Sequence, residues 1–235
     1  MRIYLVGGAV RDELMGRPCK DMDYSCEVES FDKMREEILA AGGKIWQERP
    51  EFLTIRAKMP DMTADREPVD ADFVMCRKDG QYFDGRHPES VEPGTIMDDL
   101  SRRDFTMNAI ARDVVSGGLI DPHGGQVDLA DNVIRCVGDV NERFEEDQLR
   151  MLRAVRFSVT LNMVMCHEIA QALKDPNNLR ELSKNIPAER IRQEAGKMFC
   201  ADTDLTLLSL DEFQGLRSVM FNGHKGLWLK PTMEK

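Results

Sequence analysis

Apolar and polar positions alternate in short blocks over the first third of the chain and settle into longer helical periods toward its end. Arg2–Val6 (RIYLV) is brief, apolar and partly β-branched or aromatic, which predicts a strand that Gly7 and Gly8 break. AVRDELMG follows with helical spacing and stops at Gly16. In KDMDYSCEV the period becomes two: Met22 and Tyr24 fall on one face, and Asp21, Asp23 and Ser25 on the other. Ser30 is placed to cap an amphipathic helix, SFDKMREEILAAGG, that closes at Gly42 and Gly43. FLTIRAKM and VDADFVMCR predict two more strands. From Asp98 the spacing turns helical: DDLSRRDFTMNAIARDV carries Leu100, Phe105, Met107 and Ile110 at mixed helical intervals. GGLIDPHGGQVDLADN is a Gly- and Pro-rich joint with one short strand. NERFEEDQLRMLRAVRFSVTL, CHEIAQALKD and PAERIRQEAGKMFC then predict helices.

The pattern describes an α+β chain in three parts: a mixed head over residues 1–123, a helical neck over 124–200 and a short helical extension over 201–235. Hydrophobic residues make up 42% of the 235, enough for a sizeable core. The net charge of −10 argues against indiscriminate coating of nucleic acid, though it leaves room for a local basic groove. The six cysteines are scattered and lack zinc-site spacing. The apolar run Ile3–Val6 is too brief for a signal peptide, and no stretch nears the ~20 residues of a membrane span. The expectation is a reduced, cytoplasmic protein with no membrane partner; a homo-oligomer is left open.

Chemistry concentrates near the start. Asp21 and Asp23 stand two apart in a strand, so both carboxylates point the same way and repel unless a cation lies between them. A divalent ion answers that need, since Mg²⁺ takes one or two carboxylates plus substrate phosphates and water. Asp72, in VDADFVMCR, adds a third carboxylate from a neighbouring strand, and such a set can hold two ions about 4 Å apart. A lone D-x-D is also what a solvated strand face looks like, and spacing alone does not choose between Asp70 and Asp72. GGAVRD shifts the balance. Gly7 and Gly8 let backbone N–H groups approach phosphate oxygens, a helix N-terminus follows, and Arg11 supplies a guanidinium.

With these motifs in hand, LVGGAVRD…GRPCKDMDY resembles the signature of the class II tRNA nucleotidyltransferases, the CCA-adding enzymes, whose near relatives are bacterial poly(A) polymerases. DDLSRRDFTMNAIA resembles that family's second motif, IDPHGGQVDL its head–neck hinge, FEEDQLRMLRAVRFS its nucleotide-selecting helix, and NIPAERIRQE the helix bracing the selector. The resemblance implies a polymerase-β-like head with a small mixed sheet, followed by an all-helical neck. It implies Asp21 and Asp23 as metal ligands for Mg²⁺ and Asp72 as the third catalytic acid, where many members carry Glu. It implies that Gly8 and Arg11, with Gly7 beside them, meet the triphosphate, and that Arg103, Asp104 and Asn108 handle the ribose and sugar-side phosphates. Family members continue into helical body and tail domains that grip tRNA; this sequence stops soon after the neck, which leaves its RNA grip open.

Base choice has a reading of its own. On one helix Asp147, Arg150, Arg153 and Arg156 are successive i+3 neighbours. An ionised Asp only accepts and an Arg only donates. Cytosine and adenine both present an amino group beside a bare ring nitrogen, which such a pair matches; uracil and guanine present the reverse. Each mismatch leaves buried polar groups unpaired at ~1–3 kcal/mol apiece. Taken alone, the same residues also read as a salt-bridged surface, with Glu189, Arg190 and Glu194 as further pairing groups. Trp228, in GLWLKP, is a neck-packing residue or a base-stacking one. The expected activity is template-independent addition of C and A to a tRNA 3′ end from CTP and ATP. The alternatives are a poly(A) polymerase, an A- or CC-adding specialist, a transferase acting on another RNA, and a non-catalytic nucleotide- or RNA-binding module.

Overall fold

The computed structural model describes residues 1–19, 22–60, 69–79 and 91–222; Asp21 and Trp228 lie outside them. Among the described residues the chain forms two compact units, the first ending at Ala130 and the second beginning at Asp131.

The first unit runs β1 (Arg2–Val6), α1 (Gly8–Leu14), β2 (Met22–Glu27), α2 (Phe31–Ala40), β3 (Lys44–Arg49), β4 (Thr54–Met59), β5 (Val69–Met75), β6 (Arg77–Asp79), β7 (Val91–Pro93), α3 (Ile96–Ser101), β8 (Ala111–Asp113), β9 (Leu119–Ile120) and α4 (Gly125–Ala130). Seven of the described strands make one sheet in the order β3-β4-β5-β2-β1-β8-β9. β2 and β5 run parallel and the other described pairings of this sheet are antiparallel, so the sheet is mixed, as the resemblance implied. Period-two alternation sorts its faces. Cys26, Ile55, Ala57, Ala71, Phe73 and Met75 pack with Met34 and Ile38 of α2, and Tyr24 stacks on Phe73 at 5.2 Å. The intervening positions, including Asp23, Ser25, Arg56 and Asp72, therefore belong to the opposite face.

Two local expectations give way, and one element was not expected. The helix expected across DDLSRRDFTMNAIARDV ends at Ser101; a single 3-10 turn over Thr106–Asn108 follows, and then β8 pairs with β1. Phe105, Met107 and Ile110 are all fully buried, so they do not form the one-sided stripe of an amphipathic helix. The Asp104 carboxylate accepts the Phe105 N–H at 2.8 Å, offering the backbone a local alternative to the helical ladder. The Gly/Pro-rich joint contains not only β9 but also α4, whose first N–H groups, from Gly125 and Gln126, donate to Asp121 at 2.7 and 2.9 Å. A Cβ on Gly125 would sit 2.1 Å from the Thr106 carbonyl oxygen, so only glycine lets α4 approach this closely. Finally, β3 (KIWQER) carried no expectation; it is an edge strand with a single neighbour in the described sheet.

The second unit runs β10 (Val133–Ile134), α5 (Val140–Glu146), α6 (Leu149–Leu161), β11 (Val164–Met165), α7 (His167–Ala172), α8 (Pro176–Asn185), α9 (Ala188–Ala201), α10 (Thr203–Glu212) and α11 (Gln214–Asn222). It is helical apart from the two-residue parallel pair β10–β11. α6 and α9 form its centre, burying Met151, Leu152, Val155, Ile191, Ala195 and Met198. The single helix expected from Asn141 to Leu161 is two helices, broken at Asp147, whose backbone is extended. No described helix is long and apolar enough to cross a membrane.

Candidate active site

The register of the sheet settles which carboxylates meet. Asp23 of β2 is paired with Asp72 of β5, and Asp72 in turn with Arg56 of β4. Arg56 Nε donates to Asp72 Oδ2 at 3.0 Å. Met22, Asp23, Trp46, Arg56, Asp70 and Asp72 line a cavity of about 410 Å³. Asp70 shares this cavity, but its Cα partner is Lys58, so Asp72 is the acid set beside Asp23. Asp23 is exposed. Hard carboxylate oxygens suit Mg²⁺ rather than a soft metal. Among the described residues no group of three Asp, Glu, His or Cys side chains converges tightly enough to hold an ion unaided. Asp21 is outside that set, and phosphate oxygens ordinarily complete a Mg²⁺ shell.

On the β1 side of Asp23 a second cluster forms. Gly7 adopts φ 66°, a left-handed conformation that costs other residues energy, and a Cβ there would lie 2.8 Å from Arg103 Nη1. Gly8 opens α1. Arg11 is nearly buried; its Nη1 donates to Asn108 Oδ1 at 2.8 Å, and its Nε donates to Asp12 at 2.8 Å. Asn108 Nδ2 in turn donates to Asp104 Oδ1 at 3.0 Å. Arg103 donates to the Asn108 carbonyl at 3.3 Å and to Asp99 at 3.0 Å. The structure thus gathers Gly7, Gly8, Arg11, Arg103, Asp104 and Asn108, from two separate stretches of the chain, into one glycine-lined corner.

Asp99 and its partner Ser25, at this corner, escaped the sequence reading as functional groups. Asp99 is buried, accepts from Ser25 Oγ at 2.8 Å, and pairs with both Arg102 and Arg103. Burial by itself would raise its pKa. The charges of Arg103 and Arg102, and the hydrogen bonds from Arg103 and Ser25, outweigh burial and hold the carboxyl below its ordinary value. A signal existed: Asp99 stands three and four residues before the two arginines, the spacing of helical ion pairs.

In the second unit the expected ridge is not one helical face. Asp147 sits at the break, where its Oδ1 accepts the Leu149 N–H at 3.0 Å and its Oδ2 lies 3.6 Å from Arg190. An Asp that binds the N–H two residues on competes with helix continuation, which explains the break. Arg150 begins α6 buried; its Nη1 donates to Glu146 at 2.6 Å and to the Arg143 carbonyl at 3.0 Å. Further along, Arg156 donates to buried Glu194 of α9 at 2.5 Å and lies over the Phe157 ring, as Arg153 does at longer range. Arg190 and Glu194 of α9 thus pair with Asp147 and Arg156, whereas Glu189 is exposed.

Comparison with known proteins follows the same outline. The sequence model of the poly(A) polymerase head domain matches residues 3–135. The CCA-adding enzyme of Geobacillus thermodenitrificans (strain NG80-2) is 35% identical over 229 residues, 97% of this chain and 53% of that protein. The multifunctional CCA protein of Xanthomonas oryzae pv. oryzae (strain MAFF 311018) is 37% identical over 225 residues, 94% of this chain and 51% of that protein. The crystal structure of the Bacillus stearothermophilus CCA-adding enzyme in complex with CTP superposes with a TM-score of 0.75 at 32% identity, covering 93% of this chain and 49% of that one. A tRNA nucleotidyltransferase complexed with a primer tRNA and an incoming ATP analogue gives 0.74 at 33% identity, covering 95% and 60%. The chain spans about half the length of the curated relatives it matches.

Proposed function

Because the chain belongs to the class II tRNA nucleotidyltransferase family, we propose that it extends an RNA 3′ end without a nucleic-acid template, adding C and A to tRNA from CTP and ATP. The observation that carries this reading is the in-register pair Asp23–Asp72, set beside the glycine- and arginine-lined corner of Gly7, Arg11, Arg103 and Asn108. Phosphoryl transfer asks the protein chiefly for positioning and charge stabilisation, and this arrangement offers both. The 3′ hydroxyl attacks the α-phosphate of the nucleotide and pyrophosphate leaves. Gly7 and Gly8 admit the triphosphate close to the backbone, and Arg11 and Arg103 take up its charge. Asp104 and Asn108, fixed to one another, orient the sugar. Asp21 and Asp23 would hold Mg²⁺, which when bound offsets triphosphate charge and makes the hydroxyl easier to ionise. Asp72 accepts the hydroxyl proton, its carboxylate held in place by Arg56.

Asp147 and Arg150 read the base: Asp147 accepts from the amino group that cytosine and adenine share, and Arg150 donates to the adjacent ring nitrogen. Their bonds to Leu149, Glu146 and Arg143 support this role by fixing both groups before a base arrives. Arg153 and Arg156 add positive charge along the same segment. Thiols at Cys26, Cys76, Cys166 and Cys200 fit a reducing, cytoplasmic setting. Open-ended adenylation is the competing activity, favoured by the poly(A) polymerase head model that the chain matches. Incubation with labelled CTP, ATP, UTP and GTP, and with tRNAs ending at successive 3′ positions, separates the two. Incorporation of C and A that stops at three nucleotides supports CCA addition; long A tracts support the other activity, and no incorporation refutes both.

A further inference from the structure

Trp46 is 56% exposed on the edge strand β3, so its large ring gains little from the core of its own unit. Its placement is nonetheless specific. The β3–β4 ladder pairs Ile45 with Ala57 but Gln47 with Arg56, which leaves Trp46 as the extra residue of a β-bulge. Bulges re-aim side chains and gather next to active sites. Here the indole faces the cavity of the acid pair, with the Arg56 guanidinium carbon 5.6 Å from the ring centroid. Arg56 in turn holds Asp72, and Asp72 is in register with Asp23. An indole, a guanidinium and two carboxylates thus follow one another across β3, β4, β5 and β2. The corner of Gly7, Arg11 and Arg103 lies beyond Asp23, toward β1.

That order has a chemical consequence. In phosphoryl transfer the attacking and leaving oxygens stand roughly in line, on opposite sides of phosphorus. With the triphosphate, and hence the leaving pyrophosphate, on the β1 side of the acids, the attacking hydroxyl arrives from the β3–β4 side. An exposed aromatic ring next to a guanidinium is what single-stranded nucleic acid uses for base stacking and backbone contact. We propose that Trp46 and Arg56 form the platform for the 3′-terminal nucleotide of the RNA acceptor, its base on the indole and its phosphate on the guanidinium. This rests on the nucleotidyltransferase reading above, and it adds two positioning residues that neither the motifs nor the metal-ligand pattern contain.

The test uses the full chain with Trp228→Phe, so that Trp46 is the sole tryptophan. Titration with a short single-stranded RNA ending in CC should quench its fluorescence, and CTP alone should not. Trp46→Ala should raise the KM for the RNA acceptor roughly tenfold, in keeping with the loss of one base stack. Trp46→Phe should restore most of that loss, and the KM for CTP should hold in both variants. Quenching by CTP alone, or an acceptor KM untouched by Trp46→Ala, overturns the platform. Quenching by RNA in a protein that incorporates no nucleotide would keep the platform and remove the catalytic reading. Incorporation without quenching would do the reverse.

Discussion

At the scale of single residues, the corner around Asp99 shows how the fold stores charge next to its candidate chemistry. Asp99 is buried against Ser25, Arg102 and Arg103, and its carboxyl is held below the ordinary value. A depressed folded-state pKa gives stability that is fully present above the unfolded pKa of about 4 and is lost as pH falls through the folded value. Urea unfolding from pH 7 to pH 2 should therefore show a steep acid loss in the native chain. Asp99→Asn should be weaker by roughly 2–4 kcal/mol at pH 7, because it leaves two partly buried guanidinium groups short of a partner. Its pH profile should be flatter; an unchanged acid limb would remove Asp99 as the titrating group. Sequence made the motif acids and glycines legible, because chemistry ties their types and spacing together. It did not reveal Ser25 or Arg56 as partners, since those pairings depend on which strands become neighbours.

At the scale of elements, alternation and capping read well where one rule acted alone. Ser30 caps α2 by accepting the Lys33 N–H at 3.2 Å, and the strands with one apolar face fall where period two put them. The misreadings occur where two rules compete. Apolar residues at helical intervals from Phe105 to Ile110 are buried on all sides around a 3-10 turn and a strand. The arginine-rich stretch is cut by a local side-chain bond at Asp147. That break also fixes the proposed selector, so stability and base choice can be separated there. Asp147→Ala should cost about 1 kcal/mol through the lost cap and should lower the preference for CTP and ATP over UTP and GTP by roughly tenfold or more. Asp147→Asn keeps an oxygen for the cap, so its unfolding midpoint should stay near the native value while selectivity still falls. Equal selectivity in all three proteins would exclude Asp147 from base reading. The bulge at Trp46 was invisible for a related reason: one extra residue in a ladder has no composition of its own.

At the scale of the whole molecule, the mixed seven-stranded sheet brings motifs from four separate stretches to one face, and the second unit carries the arginine-rich helix. Family and fold were readable because several motifs occur in one order. In a chain of net charge −10 the arginines of the corner and of α6 are held among acids: Arg11 pairs with Asp12, Arg102 and Arg103 with Asp99, Arg150 with Glu146 and Arg156 with Glu194. The account rests on the carboxylates of Asp21 and Asp23 serving the transfer step. It is tested most directly by measuring Mg²⁺-dependent CTP incorporation into tRNA for Asp21→Ala and Asp23→Ala, alongside circular dichroism and thermal unfolding. Incorporation should vanish in both variants while the fold and unfolding midpoint stay close to those of the native chain. Incorporation that survives either change would contradict it.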